Sequence, residues 1–276
     1  MLSIVLSSVN LAVVVTFSHK FLTGDGDFTL LSKGKVKRES FQDKVVWITG
    51  ASRGIGEVLA KQLATLGAKL IISARNEPEL ERVKKQISDL NLGKHGLEAF
   101  ERPKSTALDV PESSLKATLD VNVMGPISLT RLLLPHMLKK GRGHFVVMSS
   151  AAGKVPAPGQ AVYSASKFAL NGYFHSLRSE FYQKGIMYLR SKVSQGEKTQ
   201  RVSSERCAEL VLVAASHGLK EAWISYQPVL AVMYLVQYMP SVGFWLMDKI
   251  GGKRVETAAK KGNTYSMNLL FGGKKE

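Results

Sequence analysis

The chain is 276 residues long, 30.2 kDa, 45% hydrophobic and 22% charged, which permits a packed core and excludes global disorder. Its 38 Lys and Arg against 22 Asp and Glu leave a formal charge of +16. The basic residues lie in short scattered clusters (Lys33 to Arg38, Lys139 to Arg142, Lys260–Lys261) without interleaved aromatics or zinc-finger spacing, so no nucleic-acid partner is expected. The single cysteine, Cys207, excludes an intrachain disulfide.

Met1 to Phe17 carries no charged side chain. As a helix it would span roughly 25 Å, slightly under a hydrocarbon core of about 30 Å. It has neither the basic leader nor the small-x-small site of a cleaved signal. An uncleaved membrane anchor over residues 1–20 is therefore expected, with a buried helix as the alternative given Ser7, Ser8 and Asn10. A Gly- and Asp-containing connector, 21–42, follows, and its basic run Lys33 to Arg38 would favour the cytosolic side.

From residue 43 the pattern becomes α/β. Val45 to Ile48 is a run of strand formers, followed by the turn Thr49-Gly-Ala-Ser-Arg-Gly-Ile-Gly56. Val58, Leu59, Leu63 and Leu66 then recur at helical spacing, Gly67 stands where a helix would stop, and Lys69 to Ala74 reads as a second strand. Glycines at such a strand-to-helix turn let the backbone approach a pyrophosphate, while the helix N-terminus offers free N–H groups. The spacing Gly50, Gly54, Gly56 differs from the commoner G-x-G-x-x-G.

A second motif is independent of the first. His144 to Ser150 reads as a buried strand ending in two serines, and Tyr163 stands thirteen residues later in Tyr163-Ser-Ala-Ser-Lys167. Tyr163 and Lys167 are four apart and share a helix face. Open α/β sheets place ligands at strand ends such as Ser150. Asn122 lies in Asp120-Val-Asn-Val-Met-Gly125.

Together the glycine turn, Ser150, Tyr163-x-x-x-Lys167 and Asn122 resemble the short-chain dehydrogenase/reductase family. The resemblance implies a Rossmann-like doubly wound parallel sheet over residues 43–226, and an apolar extension with a basic tail over 227–276. It also implies that Tyr163 is the general acid/base, that Lys167 lowers the phenol pKa and holds the nicotinamide ribose, that Ser150 binds the substrate oxygen, and that Asn122 supports a relay water. Gly50, Ser52, Arg53, Gly54, Ile55 and Gly56, with Tyr163 and Lys167, would hold the cofactor. Arg75 at the end of the second strand, with Arg53 in the turn, suits a 2′-phosphate, so NADP(H) is expected in preference to NAD(H). No metal is expected. A homodimer or tetramer through family-type helix interfaces is what the resemblance implies for assembly.

Lys220 to Tyr226 reads as the last strand. Pro228 to Met247 is uncharged but is broken by Pro240 and Gly243, which fits a kinked or interfacial element or a lid over the substrate pocket as well as a second span. With an anchor at the other end, this points to a lipophilic substrate. The blocks Gly24 to Leu31 and Trp223 to Pro228 are similar to a subgroup near the microsomal hydroxysteroid and retinal reductases, implying a steroid-like, retinoid-like or other lipid carbonyl and an endoplasmic-reticulum location.

Two family blocks are missing. After a helix over 78–92, the chain passes through Gly93 to Phe100 to Glu101-Arg-Pro-Lys104 with neither of two expected strands, and Asp109 is no substitute. After Gly185 to Leu189 comes polar Arg190 to Arg201 without the family's Pro-Gly turn. In the family's strand order 3-2-1-4-5-6-7, loss of the fourth strand leaves two edges that must rejoin or stay open. The alternative to an active enzyme is therefore an inactive shortened variant that associates with full-length family members.

Overall fold

The computed structural model describes residues 15–16, 18–19, 21–88, 93–94, 107, 110–193 and 202–261, the last few of these by their backbone only. The anchor over 1–20 lies almost wholly outside the described residues, as do most of 95–109, the polar stretch 194–201 and the tail from 262. Among the described residues no helix is long and apolar enough to cross a membrane.

Strand β1 (Val45–Thr49) leads through the glycine turn into α1 (Gly54–Thr65) and back to β2 (Lys69–Ser73). Next come α2 (Glu77–Ser88) and a two-residue strand, β3 (Gly93–Lys94). The second half comprises α3 (Glu112–Leu119), α4 (Gly125–Lys139), β4 (Gly143–Ser150), α5 (Ala161–Glu180), β5 (Ile186–Val193), α6 (Ser204–Ser216) and β6 (Glu221–Ile224). The chain then forms α7 (Val229–Tyr238) and α8 (Pro240–Lys261). Pro240 opens α8, and the uncharged C-terminal stretch becomes two helices for that reason: proline has no N–H to donate into a continuing ladder.

Among the described residues the sheet is not re-closed. It forms two three-stranded parallel sheets, β1-β2-β3 and β4-β5-β6. One apolar core nevertheless joins them: Ile48, Leu59 and Leu63 of the first half pack in the same cluster as Leu189, Val211 and Ala222 of the second. The open edges show in the exposure of Val45 (67%) on β1 and Val146 (41%) on β4, positions that a central strand would bury.

Two expectations are corrected. Gly93–Lys94, read as part of a strandless passage, pairs with Ile71 and Ile72 of β2. β5, expected to end at Leu189, continues to Val193, because its backbone is wanted on both sides: β4 pairs along its whole length and β6 pairs with Arg190 to Val193. That extension draws Arg190 and Lys192 into the interior, where Glu221 offsets their charge.

The connector is also more than a linker. Gly26 bridges Ile224, Asp27 N donates to the Trp223 carbonyl (2.9 Å), and Trp223 N donates to Asp27 Oδ2 (2.6 Å). The segment thus covers the free edge of β6. Burial raises the Asp27 pKa, against the lowering pull of the Trp223 and Leu30 amides.

Candidate active site

The glycine turn begins where β1 ends. Gly50 (φ 69°) and Gly54 (φ 59°) take the left-handed conformation that side chains resist. At Gly56 the reason is space: a Cβ would lie 2.3 Å from the Gly50 carbonyl oxygen. Ala51 N donates to Ser73 O (3.0 Å), tying the turn to the end of β2. Ser52 is buried, Arg53 is the exposed N-cap of α1, and Ile55 packs its side chain on the core. Arg75, just after β2, is exposed.

A brace that the sequence did not signal holds this turn. Arg82, on α2, donates to both carboxylate oxygens of Glu57 (3.0 and 2.9 Å) and to the Ser52 carbonyl (3.2 Å). Hydrogen bonding from Arg82 outweighs partial burial and, with Lys61, holds the Glu57 carboxyl at about 2. Among the described residues nothing lies within 4 Å of a Cβ built on Gly54, and that open position at a helix N-terminus fits a dinucleotide pyrophosphate.

Across the open edge, β4 delivers Ser149 and Ser150, both buried, to a short 3-10 turn, Ala151–Gly153. Ser150 Oγ accepts from Ala152 N at 3.2 Å. Ser149 Oγ donates to Asn171 Oδ1 at 2.9 Å, and Asn171 Nδ2 donates to Gly153 O at 2.5 Å. A Cβ on Gly153 would sit 2.7 Å from Asn171 Nδ2 and 3.0 Å from Lys167 Cβ, so glycine lets the serine loop lie directly on α5.

On α5, Tyr163 (5% exposed) and Lys167 (2%) occupy the buried face, with the Lys167 ammonium nitrogen 5.6 Å from the Tyr163 ring centroid. Asn122 sits fully buried in a π-helical turn, Asp120–Met124. Its Nδ2 donates to Ser166 Oγ (3.1 Å), and Ser166 Oγ donates to the Tyr163 carbonyl (2.7 Å). The structure therefore brings Asn122 and the Ser150 loop against the one helix that carries Tyr163 and Lys167. Burial lowers the Lys167 pKa to about 7, so near neutral pH its charge is itself pH-dependent. Asn171 and Ser166 were missed as site residues. The available signal was spacing: Asn171 lies one turn beyond Lys167 on the same face.

Behind the site, Glu221 at the start of β6 gathers Lys192 (2.8 Å), Arg190, the Trp223 indole N–H (2.6 Å) and Lys154 (3.9 Å). Burial works to raise the Glu221 pKa, but the surrounding cations hold it at about 2. Lys154 lies 4.4 Å from the Trp223 ring centroid, a cation–π contact.

A glycine turn between strand and helix, together with a buried Ser, Tyr, Lys and Asn set, is the pattern of a nucleotide-dependent α/β oxidoreductase. The chain belongs to the short-chain dehydrogenase family, whose sequence pattern, described as "short chain dehydrogenase", matches residues 44–102 and 96–190. It is 35% identical to human dehydrogenase/reductase SDR family member 7, over 86% of this chain and 87% of that one. It is 31% identical to a Drosophila melanogaster dehydrogenase/reductase SDR family protein 7-like, over 81% and 85%. A metagenomic short-chain oxidoreductase solved in complex with NADP superposes with a TM-score of 0.61 at 25% identity, over 68% of this chain and 99% of that one. The human alignment runs over 295 positions, more than this chain has, while using 86% of it. Tens of positions of the relative are therefore passed over without a counterpart here.

Proposed function

We propose that the chain is an NADP(H)-dependent oxidoreductase that interconverts a carbonyl and an alcohol on a lipophilic substrate (steroid-like, retinoid-like or another lipid). In this reading it is held at a membrane, that of the endoplasmic reticulum, by its uncharged N-terminal stretch. The observation that carries the chemistry is the convergence of Tyr163, Lys167 and the Asn122–Ser166 link on one buried helix face against the Ser150 loop.

The cofactor, when bound, supplies the hydride. Tyr163 Oη gives a proton to the substrate oxygen during reduction and takes it back during oxidation. Lys167, when protonated, favours the phenolate by charge and would hold the ribose hydroxyls of the bound cofactor. Ser150 Oγ binds the substrate oxygen, and Asn122, tied through Ser166 to the Tyr163 backbone, supports a relay water. Gly50, Ser52, Arg53, Gly54, Ile55 and Gly56 line the pyrophosphate turn. The exposed Arg53 and Arg75 supply guanidinium groups for a 2′-phosphate, which favours NADP(H) over NAD(H).

One observation favours a second reading, an inactive shortened form that associates with full-length relatives: among the described residues, β1 and β4 each keep an unpaired edge. Thermal unfolding with NADPH, NADH or neither separates the two, since a ligand stabilises only the state it binds. A cooperative transition raised more by NADPH than by NADH, with NADPH-dependent reduction of a lipid ketone, supports the enzyme. A cooperative transition indifferent to both cofactors leaves the second reading.

A further inference from the structure

The corner between α7 and α8 is apolar on both of its faces. Inward, Leu230, Met233 and Val236 pack with Met247 and Ile250. Gly243 permits that approach, since a Cβ there would meet Val236 Cγ2 at 2.7 Å. Outward, five large apolar side chains within residues 238–245 stand in solvent: Tyr238 (72% exposed), Met239 (55%), Val242 (42%), Phe244 (46%) and Trp245 (59%). Single exposed apolar residues are ordinary, but a contiguous set marks a contact surface.

Farther along α8 the outer face becomes charged. Asp248 and Lys249 are exposed, and the Lys249 ammonium lies 5.9 Å from the Trp245 ring centroid. An apolar tip with Trp, Tyr and a cation behind it matches the water–lipid boundary, where amphipathic rings and lysines settle.

A separate observation gives the corner its neighbour. Gln227 Nε2 donates to the Phe21 carbonyl at 2.7 Å. The Phe21 ring lies 6.0 Å from Tyr234, and Tyr234 stacks with Tyr238 at 6.2 Å. The chain thus arrives beside the corner directly from the uncharged stretch Met1 to Phe17.

We propose that the α7–α8 corner is a second membrane contact, which dips Tyr238, Met239, Val242, Phe244 and Trp245 into the headgroup boundary of an anionic bilayer beside the N-terminal anchor. A bilayer fits better than a protein groove because the formal +16 charge complements anionic lipid. The apolar tip is also far shorter than a span needs, as expected for an element lying in the interface. The inner side of the same unit reaches the site: Val155 belongs to its apolar cluster, and a Cβ on Gly251 would touch Pro158 at 3.6 Å, within the loop between Ser150 and Tyr163. A lipid-dissolved substrate is thereby delivered along the corner to the catalytic loop. This inference rests on the anchored-oxidoreductase reading.

The test uses the full chain with vesicles of phosphatidylcholine, with and without phosphatidylserine, carrying brominated acyl chains that quench nearby tryptophan. Emission should be quenched, more strongly with phosphatidylserine. Trp245→Phe should lose most of the quenching while the protein still sediments with vesicles. Val242→Glu should do the same for the native Trp245. Sedimentation without quenching at Trp245 overturns the corner contact and leaves the N-terminal stretch acting alone. Failure to sediment overturns the contact and the anchor together. A concentration-dependent dimer dissolved by Trp245→Ser overturns it in favour of a second copy. Turnover and NADPH stabilisation measured on the same preparations decide the enzyme reading separately.

Discussion

The side-chain amide of Asn171 donates to the Gly153 carbonyl across 2.5 Å, while its oxygen accepts from Ser149. One buried side chain thus ties the helix of Tyr163 and Lys167 to the loop that carries Ser150. Asn171→Leu keeps the volume and strands both partners, and loss of buried hydrogen bonds of this kind costs about 1–3 kcal/mol. The expected result is a lower urea midpoint together with a fall in kcat that exceeds any rise in KM. Asn171→Gln, which keeps both an amide donor and an amide acceptor, should recover part of both. If Asn171→Leu lowers stability alone, the residue is purely structural.

Glu221 is the carboxylate that neutralises a buried cationic cluster. Glu221→Gln leaves Arg190 and Lys192 without a counter-charge in the interior, and breaking a buried pair from one side costs about 3–5 kcal/mol. Chemical denaturation should show that loss. Lys192→Met, which removes a buried charge and not its compensation, should cost clearly less.

Stability should rise between pH 7 and 10. Burial pulls Lys167 down to about 7; burial, then the Arg190 charge, does the same to Lys192 against the opposing pull of Glu221. In the unfolded chain a lysine keeps its proton to about 10.4. Across that window the unfolded state therefore binds more protons, and raising the pH favours the fold. Below about 7 both states are protonated and the dependence vanishes. Lys167→Met should flatten the rise by up to about 1.4 kcal/mol per pH unit, the value of one proton. A slope unchanged by that substitution contradicts the buried-lysine account.

The glycine turn separates two costs. Gly54→Ala forces a side chain into φ 59° with open space around it, a penalty of about 1–2 kcal/mol. Gly56→Ala drives a Cβ to 2.3 Å from the Gly50 carbonyl and must displace backbone. Melting of the protein without cofactor should rank Gly56→Ala well below Gly54→Ala. Both variants should lose any NADPH-induced rise, Gly56→Ala because the turn deforms and Gly54→Ala because the added methyl fills the open position.

Much of this protein was determined by local sequence. The unit from Val45 to Ser73 and the helix carrying Tyr163 and Lys167 follow from residue spacing alone, because strand and helix periodicities are fixed by near neighbours. The tertiary structure decided what depends on distant segments. Whether β1 and β4 would pair turned on where two halves of the chain came to rest, and they share a core without sharing a ladder. The extension of β5 through Arg190 and Lys192 contradicts its polar sequence, and it holds because β4 and β6 supply hydrogen bonds and Glu221 supplies charge. Asn171 became a site residue only when the serine loop folded onto it, and Trp245 became a surface residue only when Pro240 turned the chain. Side-chain type and spacing fix an element; the partner that each face meets is set by the fold.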